Sequence, residues 1–372
     1  MQQIQRIYVA NSGISVANSG IRFAGSRGAT LESNDVSVID TVANTVVATV
    51  PVGSQPAGMA VSPDGARLYV ANFVGGSVSV IETSSNAVVA TITVGAGPSF
   101  VTITPDGTRI YVDSANGVSV IDAATNTVLV TVPVGEISSF NMAISRDGAR
   151  VYVARGSSVS VIDTASNTVV ATVGGVGAGP SFLVGTPDGS RVYVANRGDG
   201  NVSAIDTASN TVVDTIPLGI LGDVDISDMV ITPDGTRIYM SGGNTSNSVF
   251  VIDTTGNKLV SVVPVGPDEG ASPGALAVSP DGTRVYVANF FRHSVSVIDT
   301  SILTEVATVQ VGLLPAALLV TSDGARIYVP NMGGNSVSVI DTTSNTAVAT
   351  VAVGRGPRTA VLLRTVDYEF TH

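Results

Sequence analysis

The sequence predicts an all-β fold, an eight-bladed β-propeller with four antiparallel strands in each blade. Three observations predict it. A V-S-V-I-D element recurs eight times, with small changes, at a spacing of about 41 residues. Each unit holds four short runs rich in Val, Ile and Thr, and the first unit lacks the run that opens the others. Repeats of this length built from four strands are typical of propeller blades.

The last residue of the V-S-V-I-D element marks each unit of the repeat. It is an acid in all eight copies: Asp40, Glu82, Asp122, Asp163, Asp206, Asp253, Asp299 and Asp341. A chain of 372 residues could hold two or three domains, but one repeat pattern runs through nearly all of it. We therefore expect a single domain over residues 1–372.

Each unit divides into strands A to D, which are clearest in residues 56–95. The A–B connection is Pro-Asp-Gly and the C–D connection is Asp-Thr-x-x-Asn-Thr, where Pro presets φ, Asp and Asn bond local backbone, and Gly supplies a positive φ. One Tyr and one Arg recur on strand B of every unit, which assigns both to the framework. The eight tyrosines are Tyr8, Tyr69, Tyr111, Tyr152, Tyr193, Tyr239, Tyr286 and Tyr328.

The ends of the chain predict how the ring closes. The chain begins in a strand B, and a segment from Arg358 to Arg364 has the character of a strand A with no later partner. Pairing the two removes two open sheet edges. We expect blade 1 to comprise residues 5–53 and 355–365, with a long loop insertion at 12–33.

Composition excludes several classes of function. A net charge of −11 without a Lys/Arg cluster disfavours nucleic acid as a partner, and no apolar stretch is long enough to span a membrane. We expect a soluble monomer. The start of the chain lacks the features of a secretion signal, so we expect a cytoplasmic protein, or a secreted or cell-surface one if a signal was removed.

The motifs P-D-G-x-R-x-Y-V-A-N, V-S-V-I-D-T and N-T-V-V-A-T-V-x-V-G resemble the YVTN-type β-propeller repeats of surface-layer and other bacterial and archaeal proteins. The resemblance covers essentially the whole chain and implies the propeller fold. It implies no single activity, since similar propellers serve as adhesive or binding modules, as lactonase-like or lyase-like enzymes, and as companions of quinone-dependent systems.

Residues that the repeat does not explain gather on one face. In a propeller with strand A innermost, the A–B and C–D turns lie on one face, here called the framework face. The B–C and D–A loops lie on the other, the variable face, and they differ from blade to blade. Irregular loops on a rigid scaffold commonly carry function. The expected ligand-binding residues are Phe73, Phe100, Asp113, Glu136, Phe140, Arg155, Phe182, Met229, Phe290 and Phe291.

Three phenylalanines stand at the start of strand A in consecutive blades: Phe100, Phe140 and Phe182. The innermost strand borders the axial channel, so these rings form either a plug in the channel or the apolar wall of a ligand site.

The candidate catalytic residues are Asp228, His293, Arg358 and Arg197. An Asp228 carboxyl on the channel rim opposite Arg358 would have a shifted pKa and could transfer protons, and His293 could act as a general base. The alternatives are a solvated salt bridge and an exposed loop histidine.

No cofactor is expected. The chain has no Cys and only two His, which excludes transition-metal sites of the His/Cys type, and the Trp docking motifs of quinone-cofactor propellers are absent. Asp223, Asp225 and Asp228 form D-x-D-x-x-D, a weak calcium candidate that lacks the Gly and the bidentate Glu of the usual loop.

Three functions remain open. The first is a cofactor-independent enzyme, such as a lyase, an isomerase or cyclase, or a lactonase-like hydrolase, acting on a partly apolar small molecule at the variable-face mouth of the channel. The second is a non-catalytic module that binds a ligand or a protein on that face. The third is a structural surface-layer component, for which a regular face would be expected.

Overall fold

A computed structural model describes residues 5–13, 33–135, 142–219, 226–242, 246–266 and 270–363. These residues form 32 strands in eight antiparallel four-stranded sheets, one per blade. In blades 1 to 4 the strands are β1 (Arg6–Asn11), β2 (Asp35–Asp40), β3 (Thr45–Pro51), β4 (Pro56–Val61), β5 (Arg67–Asn72), β6 (Ser77–Glu82), β7 (Ala87–Thr93), β8 (Val101–Ile103), β9 (Arg109–Ser114), β10 (Gly117–Asp122), β11 (Thr127–Val132), β12 (Met142–Ile144), β13 (Arg150–Arg155), β14 (Ser158–Asp163) and β15 (Thr168–Gly174). In blades 5 to 8 they are β16 (Pro180–Gly185), β17 (Arg191–Asn196), β18 (Asn201–Asp206), β19 (Thr211–Pro217), β20 (Asp228–Ile231), β21 (Arg237–Ser241), β22 (Ser248–Asp253), β23 (Lys258–Pro264), β24 (Pro273–Val278), β25 (Arg284–Asn289), β26 (Ser294–Asp299), β27 (Thr304–Gln310), β28 (Leu319–Val320), β29 (Arg326–Asn331), β30 (Ser336–Asp341) and β31 (Thr346–Ala352).

Strand β32 (Pro357–Leu363) closes the ring by completing blade 1. It pairs antiparallel with β1, with Arg6 opposite Leu363 and Tyr8 opposite Val361. The inner strand of every blade lies beside the inner strand of the next, and β28 of blade 8 neighbours β32 of blade 1. The predicted eight-bladed propeller, closed by the C-terminal strand, is therefore confirmed.

Burial changes with distance from the axis. Strands B and C are almost wholly buried, whereas residues of strand D alternate between exposed and covered, as expected for an outer edge. The recurring tyrosine is buried in all eight blades and bonds across to the next blade where its hydroxyl has a partner, as between Tyr8 and the Asn86 side chain (3.0 Å). The core therefore lies between blades, which is why the tyrosines belong to the framework.

The loops separate onto two faces as the strand order requires. On the framework face the start of a C–D turn bonds to an A–B turn, as between Thr83 N–H and the Ala66 carbonyl (3.0 Å). On the variable face a B–C loop bonds to a D–A loop, as between Phe73 N–H and the Gln55 carbonyl (2.9 Å). Most of the expected insertion at 12–33 lies outside the described residues.

Candidate functional site

The inner strands surround the channel with a nearly uncharged ring. The inner strands are β4, β8, β12, β16, β20, β24, β28 and β32. Two ionisable residues occur in these eight strands: Asp228 on blade 6 and Arg358 on blade 1. Both stand near the beginning of their strand, at the variable-face end. Two blades separate them, so they mark different parts of the rim.

Arg358 occupies a bulge in β32. Pro357 pairs with Asn11 and Thr359 with Ala10, which leaves Arg358 without a partner residue across the sheet. Its side chain is exposed to solvent, yet the surrounding protein desolvates the guanidinium and lowers the pKa of Arg358 from its usual value. Exposure combined with desolvation is expected for a group that solvent reaches on one side and protein surrounds on the others.

Asp228 connects the inner strands of blades 6 and 7. Its Oδ1 accepts the Met229 N–H (2.8 Å) and its Oδ2 accepts the Leu276 N–H (2.8 Å). Leu276 follows a bulge in β24, where the strand loses its regular pairing. Burial raises the pKa of Asp228 to about 6, against the opposing effect of these two hydrogen bonds.

The structure does not pair Asp228 with Arg358. The raised pKa of Asp228 comes from burial, and no guanidinium contributes to it. The salt-bridge alternative therefore does not describe these two residues. What remains is an acid held by backbone N–H groups and a separate arginine on the same rim.

Phe100 and Phe182 hold the position of Asp228 in blades 3 and 5, and both rings are half-buried. Phe100 packs against the core cluster that contains Met142, and Phe182 packs against the cluster that contains Met229. Each ring thus fills the inner end of the space between two blades while keeping part of its surface open. Plug and ligand wall both stay predictions for these rings.

Met229 is buried, with 3% of its surface exposed, so its side chain packs in the core instead of lining the channel. Asp113 is buried as well, at 4% exposed. Its carboxylate accepts the backbone N–H groups of Ser99 (2.7 Å) and Phe100 (2.6 Å) and the Ser99 hydroxyl (2.5 Å). Burial raises the pKa of Asp113, although these bonds oppose the shift. Asp113 therefore anchors the loop that positions Phe100.

His293 forms a clamp between blades 7 and 8. It lies at the end of a B–C loop with a positive φ of 54°, and its Nδ1 accepts the N–H of Leu314 (3.0 Å). An accepting Nδ1 places the ring proton on Nε2. In this structure His293 is a hydrogen-bonded, half-buried group, which differs from the exposed loop histidine of the alternative.

Asparagine makes the same clamp in other blades, always immediately before strand C and always to a D–A loop. The bonds run from Gln55 N to Asn34 Oδ1 (3.0 Å), from Ser272 N to Asn247 Oδ1 (3.3 Å) and from Gly356 N to Asn335 Oδ1 (3.0 Å). Sequence reasoning missed this role for His293. The signal was present, because R-H-S-V-S-V aligns with G-N-S-V-S-V and Asn is well suited to a positive φ.

The remaining described candidates lie on the variable face, outside the inner strands that form the rim. Arg197 and Arg155 are half-buried, and Arg155 donates from Nη1 to the Val134 carbonyl. Phe73 is 37% exposed and Phe291 is 43% exposed. Phe290 packs edge-on against Phe291 with ring centroids 5.1 Å apart.

Four candidates, Phe140, Glu136, Asp223 and Asp225, lie outside the described residues. Within the described ranges, no group of three or more His, Asp or Glu side chains is arranged to hold a metal ion. In the same ranges, no helix is long and apolar enough to cross a membrane.

Solved structures similar to this chain are propeller proteins. A chain of Kuenenia stuttgartiensis hydrazine synthase is 26% identical, with a TM-score of 0.63 over 77% of this chain and 95% of that chain. Dihydro-heme d1 dehydrogenase NirN in complex with DHE is 15% identical, with a TM-score of 0.76 over 96% of this chain and 74% of that chain. At 15% identity the likeness shows the fold alone.

No curated protein matches the chain. The resemblance of the repeats to YVTN-type propellers stays a prediction. The family model described as a domain of unknown function, DUF5074, matches residues 67–270. Because this match spans more than half of the sequence, the chain belongs to the DUF5074 family.

Proposed function

We propose that this propeller binds a partly apolar small molecule at the variable-face mouth of its channel. One observation carries the proposal. The described inner strands hold two ionisable side chains, Asp228 and Arg358, in a ring that is otherwise uncharged and that includes the half-buried rings of Phe100 and Phe182. An apolar concavity with a few polar groups is the usual composition of a small-molecule site.

The comparisons support a ligand-binding role at a coarse level. One of the similar structures is of hydrazine synthase, and another is of a dehydrogenase in complex with DHE. Proteins similar to this propeller therefore include a ligand-bound one, and neither name identifies a ligand for this chain.

Catalysis without a cofactor is the second candidate, and Asp228 is the observation that favours it. With its pKa raised to about 6, the carboxyl exchanges a proton close to neutral pH, as a general acid or base must. Asp228 would move the proton, and Arg358 would orient the substrate. The reaction would be that of a lyase, an isomerase or cyclase, or a lactonase-like hydrolase.

Obstructing the channel mouth tests the binding site. Ala57 holds in blade 2 the position that Arg358 holds in blade 1, so Ala57→Trp places a large ring on the rim. Ala165→Trp adds the same bulk to an exposed turn of the framework face. Each variant is incubated with a small-molecule extract, and retained compounds are identified by ultrafiltration and mass spectrometry.

We expect wild type and Ala165→Trp to retain the same compound and Ala57→Trp to lose at least about 90% of it, a tenfold loss of affinity or more. Equal retention by all three proteins contradicts a channel-mouth site and favours binding elsewhere on the propeller. Retention of nothing by the wild type contradicts small-molecule binding altogether.

A further inference from the structure

Arg358 differs from seven of the eight framework arginines in having no partner to bind. The exception is Arg191, whose buried Nη1 also has no hydrogen-bond partner among the described residues. Three framework arginines pair with an aspartate of their own blade: Arg109 with Asp122, Arg150 with Asp163 and Arg284 with Asp299. Four more donate to a carbonyl of a neighbouring blade: Arg6, Arg67, Arg237 and Arg326. Among the described residues, the guanidinium of Arg358 has no hydrogen bond and no ion pair.

Acids are in excess in the chain, but the described inner strands place none beside Arg358. The chain has 29 Asp and Glu against 18 Lys and Arg, yet the described inner strands contain one acid, Asp228, which is separated from Arg358 by two blades. A cation that the surrounding protein partly desolvates is stabilised by a nearby opposite charge, and a ligand that enters the opening can supply that charge.

Small residues leave the guanidinium of Arg358 accessible. The residues at its position in the two flanking blades are Ala57 of blade 2 and Ala316 of blade 8. Neither alanine can reach across to the guanidinium or cover it. The bulky rings of Phe100 and Phe182 belong to blades 3 and 5, two and four blades round the ring from Arg358, so they do not cover its guanidinium and they lie across the opening from it.

The charges of the rim limit what can bind there. A single guanidinium matches a planar monoanion through two parallel N–H···O bonds. A phosphate dianion would call for further cationic donors, and the described inner strands contain no second Lys or Arg. Asp228 carries the opposite charge on another part of the rim and would repel a second anionic group.

We propose that the ligand of the channel mouth is a monocarboxylate whose carboxylate is bound by Arg358 and whose apolar part extends toward Phe100 and Phe182. This inference rests on the proposed function, because it assigns a chemical class to the ligand of that same site. It makes Arg358 the residue that selects anionic from neutral compounds.

Isothermal titration with three matched probes tests the assignment: hexanoate, its neutral amide hexanamide, and hexyl phosphate. We expect hexanoate to bind the wild type about 10- to 100-fold more tightly than hexanamide, the range for a hydrogen-bonded charged pair. Arg358→Gln should remove that preference and leave hexanamide binding unchanged. Arg355→Gln removes the same charge three residues earlier, at an exposed loop position, and should behave as the wild type.

Three results overturn the carboxylate assignment while leaving a channel site in place. They are equal binding of hexanoate by wild type and Arg358→Gln, tighter binding of hexyl phosphate than of hexanoate, and capture of only neutral compounds in a manner that Ala57→Trp abolishes. Failure of both hexanoate and hexanamide to bind, with no effect of Ala57→Trp on retention from extract, removes the proposed function as well.

Discussion

The two faces of the propeller are built from the same repeat, but they use it differently. On the framework face, the Asp of each A–B turn accepts the same two bonds in blade after blade, as Asp64 does from Ser62 Oγ (2.5 Å) and Ala66 N–H (2.9 Å). On the variable face the loops change length and sequence between blades, yet the clamp made by His293 is also made by asparagines. The variable face therefore has two layers. In the deep layer the same hydrogen bonds recur from blade to blade, and above it the loop tips differ in length and sequence.

This difference teaches that a residue can depart from the repeat in sequence and still make the same interaction as its counterparts in other blades. His293 departs from the repeat in sequence and conforms to it in geometry. Arg358 departs in sequence and in its interactions: the bulge that it occupies recurs in other blades, whereas a charged side chain without a partner does not recur at that position. Residues of the second kind are the better functional candidates.

The largest expected effect is a loss of stability when the deep layer of the variable face is changed, in contrast to a change at its loop tips. Asn289 is fully buried, and its Nδ2 donates to Ser294 (3.1 Å) and Ser296 (2.8 Å). Asn289→Ala should lower the free energy of unfolding by about 3 kcal/mol, because it removes both bonds and leaves a cavity. Phe291→Ser, at an exposed tip, should change it by no more than about 0.5 kcal/mol. Urea denaturation measures both, and similar losses would argue against two layers.

The next effect is the pH dependence of stability, which should have opposite signs for the framework turns and for the channel rim. Turn aspartates such as Asp64 and Asp281 have lowered pKa values, so their stabilisation is present above pH 4 and is lost in acid. Asp228 has a pKa raised to about 6, so its stabilisation is present below pH 4 and is lost as the pH rises toward 6. The buried Asp113 contributes with the same sign as Asp228.

Asp228→Asn removes the titration of the rim carboxyl and tests this sign. Relative to the variant, the wild type should lose stability between pH 4.5 and pH 7, with a slope of at most about 1.4 kcal/mol per pH unit. Urea unfolding at a series of pH values measures the difference. Parallel curves, or a wild type that gains stability over this range, would contradict a raised pKa at Asp228.

The smallest effect concerns the clamp of His293. His293→Asn restores the residue that other blades use and should change the free energy of unfolding by less than about 0.5 kcal/mol, whereas His293→Ala should cost about 1 kcal/mol for the lost bond. Thermal unfolding compares the two. If the protein proves to be an enzyme, turnover should survive His293→Asn, and its loss would restore His293 as a catalytic candidate.

The fold could be predicted from the sequence because the same pattern of strands and turn residues recurs in each unit. Turn residues such as the Asp and Gly at positions 64 and 65 act over four residues, and the seven copies of this turn remove the ambiguity of any single one. The closing strand could also be predicted from the sequence, since the segment near Arg358 has no partner and blade 1 lacks an inner strand.

The candidate site was less predictable because its chemistry depends on distances between blades. The sequence placed Asp228 and Arg358 on one rim, but the alternation of strands does not say which backbone N–H a carboxylate meets in the next blade. Only the structure shows Leu276 N–H bonded to Asp228. The depth at which Met229 and Asp113 are buried likewise depends on how closely neighbouring blades pack.

A crystal structure of the protein soaked with hexanoate tests the central claim most directly. The account predicts density at the variable-face mouth, with the carboxylate within hydrogen-bond distance of the Arg358 guanidinium and the alkyl chain directed toward Phe182. Density on the framework face or on the outer strands, or a mouth left empty while hexanoate is bound elsewhere, would contradict it.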